Sequence, residues 1–141
     1  MYRLGGCLKL QLVDLSYKEN PRINYMDTIK IKDNSLVYSY KGGLKTAFCS
    51  DLLAIECDKP FIGLVFNNEK VLVRVSLTAV ESQLQNYFIR ISRQVIVNMH
   101  HVSELLFRNG SYWLLLTKGS EYKVSERREK AVRTAFLLYV V

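Results

Sequence analysis

Four turn-forming pairs punctuate the chain: Gly42-Gly43, Asn67-Asn68, Asn109-Gly110 and Lys118-Gly119. Between them lie short apolar runs, "LVYSY" and "LKTAFC", "FIGLVF" and "KVLVRV", "HVSELLF" and "SYWLLLT". Runs this short, bounded by such pairs, read as strands folded back in hairpins. Asn109-Gly110 is the strongest of the four, because a type I′ turn needs positive φ at both central residues. After Lys118-Gly119, "SEYKVS" returns, so the last third reads as a meander of three antiparallel strands. "TIKIK" alternates and "LLAIEC" is a short apolar strand. Arg74 is the charged member of an otherwise apolar strand and is expected to point outward. No long βαβ alternation occurs, which excludes doubly wound folds.

Two helices interrupt this pattern. Ser76 is placed to cap the first, its hydroxyl accepting from a free backbone N–H. Leu77, Val80 and Leu84 then form one apolar stripe, and the helix is expected to end near Gln85-Asn86. Ser125 is placed to cap the second, in which Val132, Ala135, Phe136 and Tyr139 share a face. Arg127, Arg128, Lys130 and Arg133 lie near its start and on its exposed sides. The expected fold is therefore mostly β, antiparallel sheets with a short central helix and a C-terminal helix. Ahead of it, "CLKLQLVDL" alternates as a strand would, and "YKENPRINYMD", with Pro21, reads as a linker or long turn. The expected division is an N-terminal extension of open role over residues 1–35 and one domain over 36–141.

A chain of 141 residues with 49% hydrophobic and 23% charged residues can bury a core without disulfides or a metal. Cys7, Cys49 and Cys57 form no CxxC pair, and so sparse a set suggests buried free thiols in a reducing compartment. No stretch reaches the ~18 apolar residues of a membrane span. Leu4-Gly-Gly-Cys7 looks like a lipoprotein box but has no hydrophobic region before it. The expectation is a cytoplasmic protein. Its formal charge of +7 favours polyanions by attraction and counterion release. His100 and His101 are neighbours, which puts them on opposite faces of a strand, and no third ligand stands at metal spacing. Neither a catalytic triad nor a Gly-rich phosphate loop is marked. No enzyme activity, metal, cofactor or small-molecule substrate is expected.

The stretch "RISRQVIVN", residues 90–98, carries two arginines that a core strand does not need. With its flanks, "YFIRISRQVIVNMHHVSEL", it is similar to the signature of LytTR-type DNA-binding domains. Phe88, Arg90, Arg93, Val97 and Asn98 fit the family spacing, and Val102 is the apolar residue that follows. "VRVSLTAVESQL", "YWLLLTKGSEYKVSERREKA" and "DLLAIECDKPFIGLVF" resemble three further landmarks in the correct order, over roughly residues 36–138. Ser92 stands for the family histidine, Gln94 for a serine, Glu126 for an arginine, and Pro60 lies in the loop before Phe61.

The resemblance implies a β scaffold whose basic loops enter successive major grooves of double-stranded DNA, as a homodimer where sites are paired. Arg93 and Arg127 would contact bases; Arg90, Ser92, Gln94, Lys59 and Arg128 would contact the backbone. Arginine suits base reading because it bonds bidentately to guanine O6 and N7. For Arg90 a structural ion pair with Glu56 or Glu81 is the alternative, and for Asn98 the expected role is to fix a turn. Two other functions stay open: a protein-interaction module, suggested by Ser92, Glu126 and the apolar C-terminal tail, and a sequence-blind polyanion binder.

Overall fold

The computed structural model describes residues 27–140. They form eleven strands in three antiparallel sheets, with two helices. The first sheet is β1 (Ile29–Lys32), β2 (Ser35–Tyr40) and β3 (Gly43–Phe48), in that order. The central sheet contains β4 (Ala54–Asp58), β5 (Phe61–Val65), β6 (Lys70–Val73), β7 (Phe88–Ser92) and β8 (Val95–Asn98), ordered β6-β5-β4-β8-β7. The third is the expected meander: β9 (Val102–Arg108), β10 (Ser111–Leu116) and β11 (Glu121–Lys123). Helix α1 (Leu77–Glu81) joins β6 to β7, and α2 (Glu129–Tyr139) follows β11.

The central sheet has a core on each face. Ile55, Ile62, Leu64, Val73 and Ile96 pack with Leu36 and Tyr38 of β2 and with Leu77 and Val80 of α1. Ala54, Ile91 and Val97 pack with Leu114, Leu116, Val132 and Ala135 from the third sheet and α2. A strand buried on both faces has no solvent side to leave polar, which explains the unbroken apolar runs of "LLAI" and "VIV". Among the described residues no helix is long and apolar enough to cross a membrane. Cys49 is buried and Cys57 half-buried, and both are free.

The turns follow local chemistry. Asn109 and Gly110 have φ of 53° and 78°, the type I′ signature, with Arg108 opposite Ser111. In the first hairpin Tyr40 pairs with Gly43, so the turn is Lys41-Gly42, with φ of 49° and 81°, one residue earlier than expected. Asn67 and Asn68 sit in a four-residue loop closed by the Phe66 N–H donating to the Glu69 carbonyl at 2.8 Å. The boundary expected at residue 35 falls at the β1–β2 turn; β1 pairs with β2 over four positions and Ile29 joins the core. The expected strand over residues 7–15 and the linker up to residue 26 lie outside the described residues.

Several local expectations are corrected. The Ser76 hydroxyl accepts from the Ala79 N–H at 3.1 Å as foreseen, but α1 stops at Glu81, not near Asn86. Side-chain amides beyond it turn to β1 and the turn that follows it: Gln83 Oε1 accepts from the Ile31 N–H at 3.1 Å, and the Gln85 amide donates to the Asp33 carbonyl. Ser125 makes no side-chain cap. A 3-10 turn, Glu126–Arg128, precedes α2, and the Ser125 N–H donates to the Ile91 carbonyl at 2.9 Å. Arg74 lies past the end of β6 and is half-buried, its N–H donating to Asp27 at 2.8 Å. His100 and His101 lie on a 3-10 turn, Met99–His101, not on a strand.

Candidate nucleic-acid interface

The β7–β8 hairpin is irregular where it matters. Arg90 pairs with Ile96 and Ser92 with Val95, which leaves Ile91 as an extra residue. Such a bulge bends a strand and re-aims the side chains beyond it. Ile91 is fully buried, so the bulge is anchored in the core while the turn residues Arg93 and Gln94 are exposed.

Neighbouring segments hold this turn from several directions. The Cys57 N–H of β4 donates to the Gln94 carbonyl at 2.7 Å, and the Ser125 N–H holds Ile91 from the other side. The Ser92 hydroxyl accepts from the Gln94 N–H at 3.2 Å. Arg90 donates through Nε to the Ser92 carbonyl at 2.9 Å and through Nη2 to the Arg93 carbonyl at 2.6 Å. Its Nη1 donates to Glu81 Oε1 at 2.7 Å. Of the two ion pairs considered for Arg90, the structure contains the one with Glu81. With 14% of its side chain exposed, Arg90 is a buttress of the turn more than a free cation.

Lys59 is exposed on the tight β4–β5 turn, where Asp58 pairs with Phe61. A cavity of about 400 Å³ is bounded by Lys59, Arg90, Arg93 and the start of α1. On the other side of the turn, a cavity of about 640 Å³ is bounded by Ser92, Gln94, Lys123, Ser125, Glu126 and Glu129. Arg127 and Arg128 are exposed on the 3-10 turn that packs against β7. Residues 59, 90, 92, 93 and 94 therefore gather along one edge, and the segment bearing 127 and 128 adjoins it. Among the described residues neither Arg93, Arg127, Arg128 nor Lys59 has a carboxylate at ion-pair distance. Lys123 adjoins the same edge but was not singled out from sequence; it carries no signal beyond alternation in β11.

Glu56, whose strand position is opposite Val95, could oppose an anion here, but its charge is engaged. Lys70 Nζ lies 2.9 Å away and the Tyr122 hydroxyl donates to it at 2.6 Å. Burial pushes the Glu56 carboxyl up, yet Tyr122 and Lys70 together hold it below the usual carboxylate range. Burial and this carboxylate push the Tyr122 phenol well above its ordinary value. Asn98 is fully buried; it donates to the Leu52 carbonyl at 2.9 Å and accepts from the His100 N–H at 2.9 Å, fixing the turn after β8 as expected. His100 stacks on Tyr87, and His101 Nε2 lies 2.6 Å from the Ser50 carbonyl.

Comparison with known proteins matches residues 43–137 to the family model described as LytTr DNA-binding domain. An uncharacterised HTH-type transcriptional regulator of Staphylococcus aureus strain NCTC 8325 is 29% identical over 79 residues, 56% of this chain and 54% of its own length. A counterpart from the bovine strain RF122 is 27% identical over 97 residues, 69% of this chain and 66% of its own. The chain thus spans between half and two thirds of these relatives. Among its described residues α1 and α2 are separated by five strands, so the helix-turn-helix label belongs to the relatives. A solved LytTr DNA-binding domain from Bacillus cereus shares the fold, with a TM-score of 0.66 at 19% identity, covering 74% of this chain and 97% of that one.

Proposed function

The chain belongs to the LytTR DNA-binding domain family, and from that premise we propose that it is a sequence-specific transcription regulator reading double-stranded DNA through the β7–β8 turn. The observation that carries this reading is Arg93: an exposed arginine without a carboxylate partner among the described residues, on a turn whose backbone is tied down at 91, 92, 93 and 94. A base-reading side chain needs such a rigid base, because bidentate bonding to guanine tolerates little misplacement.

In this reading Arg93 and Arg127 contact bases from two neighbouring segments that enter successive major grooves. Lys59, Ser92, Gln94 and Arg128 hold the phosphates that fix register. Arg90 supports the turn that presents Arg93 and Gln94. The chain binds paired sites as two copies. The net charge of +7 drives encounter with the duplex, and the base contacts select the site.

Fragments selected from genomic DNA by the protein, compared with scrambled duplexes across a salt series, test the proposal. Tight binding that prefers the selected fragments is expected. A steep salt dependence with no preference would leave only a polyanion binder.

One observation favours a different function. Glu126 and Glu129 border the cavity beside Ser92 and Gln94, so two carboxylates as well as Lys123 face that space. A protein-interaction module on this fold predicts no DNA binding even at low salt.

A further inference from the structure

We infer that Glu81 and Arg90 act as a clamp that sets the shape of the β7–β8 turn, and so are positioning residues for Arg93 and not contacts to DNA. The inference rests on the proposed reading of DNA by that turn.

The geometry is specific. The two carbonyls that Arg90 holds, those of Ser92 and Arg93, belong to the peptides immediately before and after the Arg93 α-carbon. Fixing both peptide planes fixes the backbone angles of Arg93, and with them the direction in which its side chain leaves the chain. A guanidinium suits this task because its donors lie in one rigid plane. Its remaining edge meets Glu81, the last residue of α1. A carboxylate at a helix C-terminus opposes the local dipole, so Glu81 does nothing for α1 itself. Pairing with Glu81 also offsets the charge of Arg90, whose side chain is only 14% exposed, leaving little for a phosphate to reach.

The experiment uses Arg90→Lys, Arg90→Gln, Glu81→Gln, Arg93→Ala and the double variant Arg90→Lys/Arg93→Ala in the full chain. Lysine keeps the charge but cannot bridge two carbonyls and a carboxylate in one plane. Affinity for a selected duplex and a scrambled one is measured across salt. Backbone amide order parameters at 92–94 are measured without DNA.

The clamp predicts that Arg90→Lys lowers the ratio of the two affinities about tenfold, with a smaller drop for Glu81→Gln. The double variant should lose no more than Arg93→Ala alone, because Arg90 acts through Arg93. Arg90→Gln should leave the salt slope unchanged, and the turn should loosen in every Arg90 variant. Losses equal on both duplexes, with a slope shallower by about one, would make Arg90 a phosphate contact and overturn the clamp. If the wild type shows no preference, the DNA-reading proposal fails and takes the role of Arg93 with it. The order parameters then judge the clamp alone, and an unchanged turn overturns that too.

Discussion

Two residues set the limits of what one side chain does here. Asn98 has no solvent exposure and uses both ends of its amide, toward Leu52 and His100. Replacing it with Leu strands a carbonyl and an N–H, each worth roughly 1–3 kcal/mol when buried without a partner. Urea denaturation should show a lower midpoint with an unchanged slope. Arg93 is the opposite case, exposed and without an ion-pair partner among the described residues. Arg93→Ala should leave the urea midpoint in place. On the cognate duplex it should weaken binding by ~1–3 kcal/mol and relax base preference; equal losses on scrambled DNA would reduce Arg93 to a phosphate contact. Asn98 was legible in sequence because an asparagine ending an apolar run has few other uses. The partner of Arg90 was not, since Glu56 and Glu81 are equally plausible until α1 is seen to end at Glu81.

Elements are joined by a few ties that span sheets. The Tyr122 hydroxyl on β11 reaches Glu56 on β4, linking the third sheet to the central one. Glu56 titrates lower in the folded protein than in the unfolded chain. Its contribution to stability is thus present above the unfolded value of about 4.3 and is lost as pH falls through the folded value. Tyr122→Phe removes one of the groups that lower it. The variant should be less stable by about 1–2 kcal/mol at pH 7, and its deficit should shrink in acid, as read from denaturation midpoints between pH 7 and pH 3. A deficit that stays constant would mean the hydroxyl contributes independently of the charge on Glu56. Gly63 matters to the same cluster: a Cβ there would run into the Lys70 stem that crosses β5 to reach Glu56. Gly63→Ala should therefore displace Lys70 and reduce the acid sensitivity in the same direction.

Hairpins were the most legible elements because Asn-Gly chemistry is local. The end of α1 was not, because Gln83 and Gln85 find their partners on β1 and in the turn after it, about fifty residues away in sequence. Ser125 failed as a cap for a related reason: its backbone is held by Ile91, and the chain enters α2 through a 3-10 turn.

At the scale of the whole molecule, the central sheet carries a core on each face and brings distant segments to one edge. Periodicity identified most of the strands but not that β4 lies between β5 and β8, because that pairing is non-local and both neighbours are equally apolar. That placement is what sets Lys59, on the β4–β5 turn, beside Arg93 on the β7–β8 turn. The adjacency of Ser125 to Ile91, which sets the 3-10 turn bearing Arg127 against β7, is likewise a tertiary contact that no local pattern announces. This edge is expected to read guanines from the major groove. Methylation of guanine N7 in a selected fragment, followed by separation of bound from free DNA, tests it most directly, since N7 is one of the two atoms an arginine bonds there. Interference is expected at guanines in two successive major grooves, about 10 base pairs apart on one face of the duplex, with one of the two signals lost in Arg93→Ala. Binding that ignores N7 methylation throughout the site would contradict it.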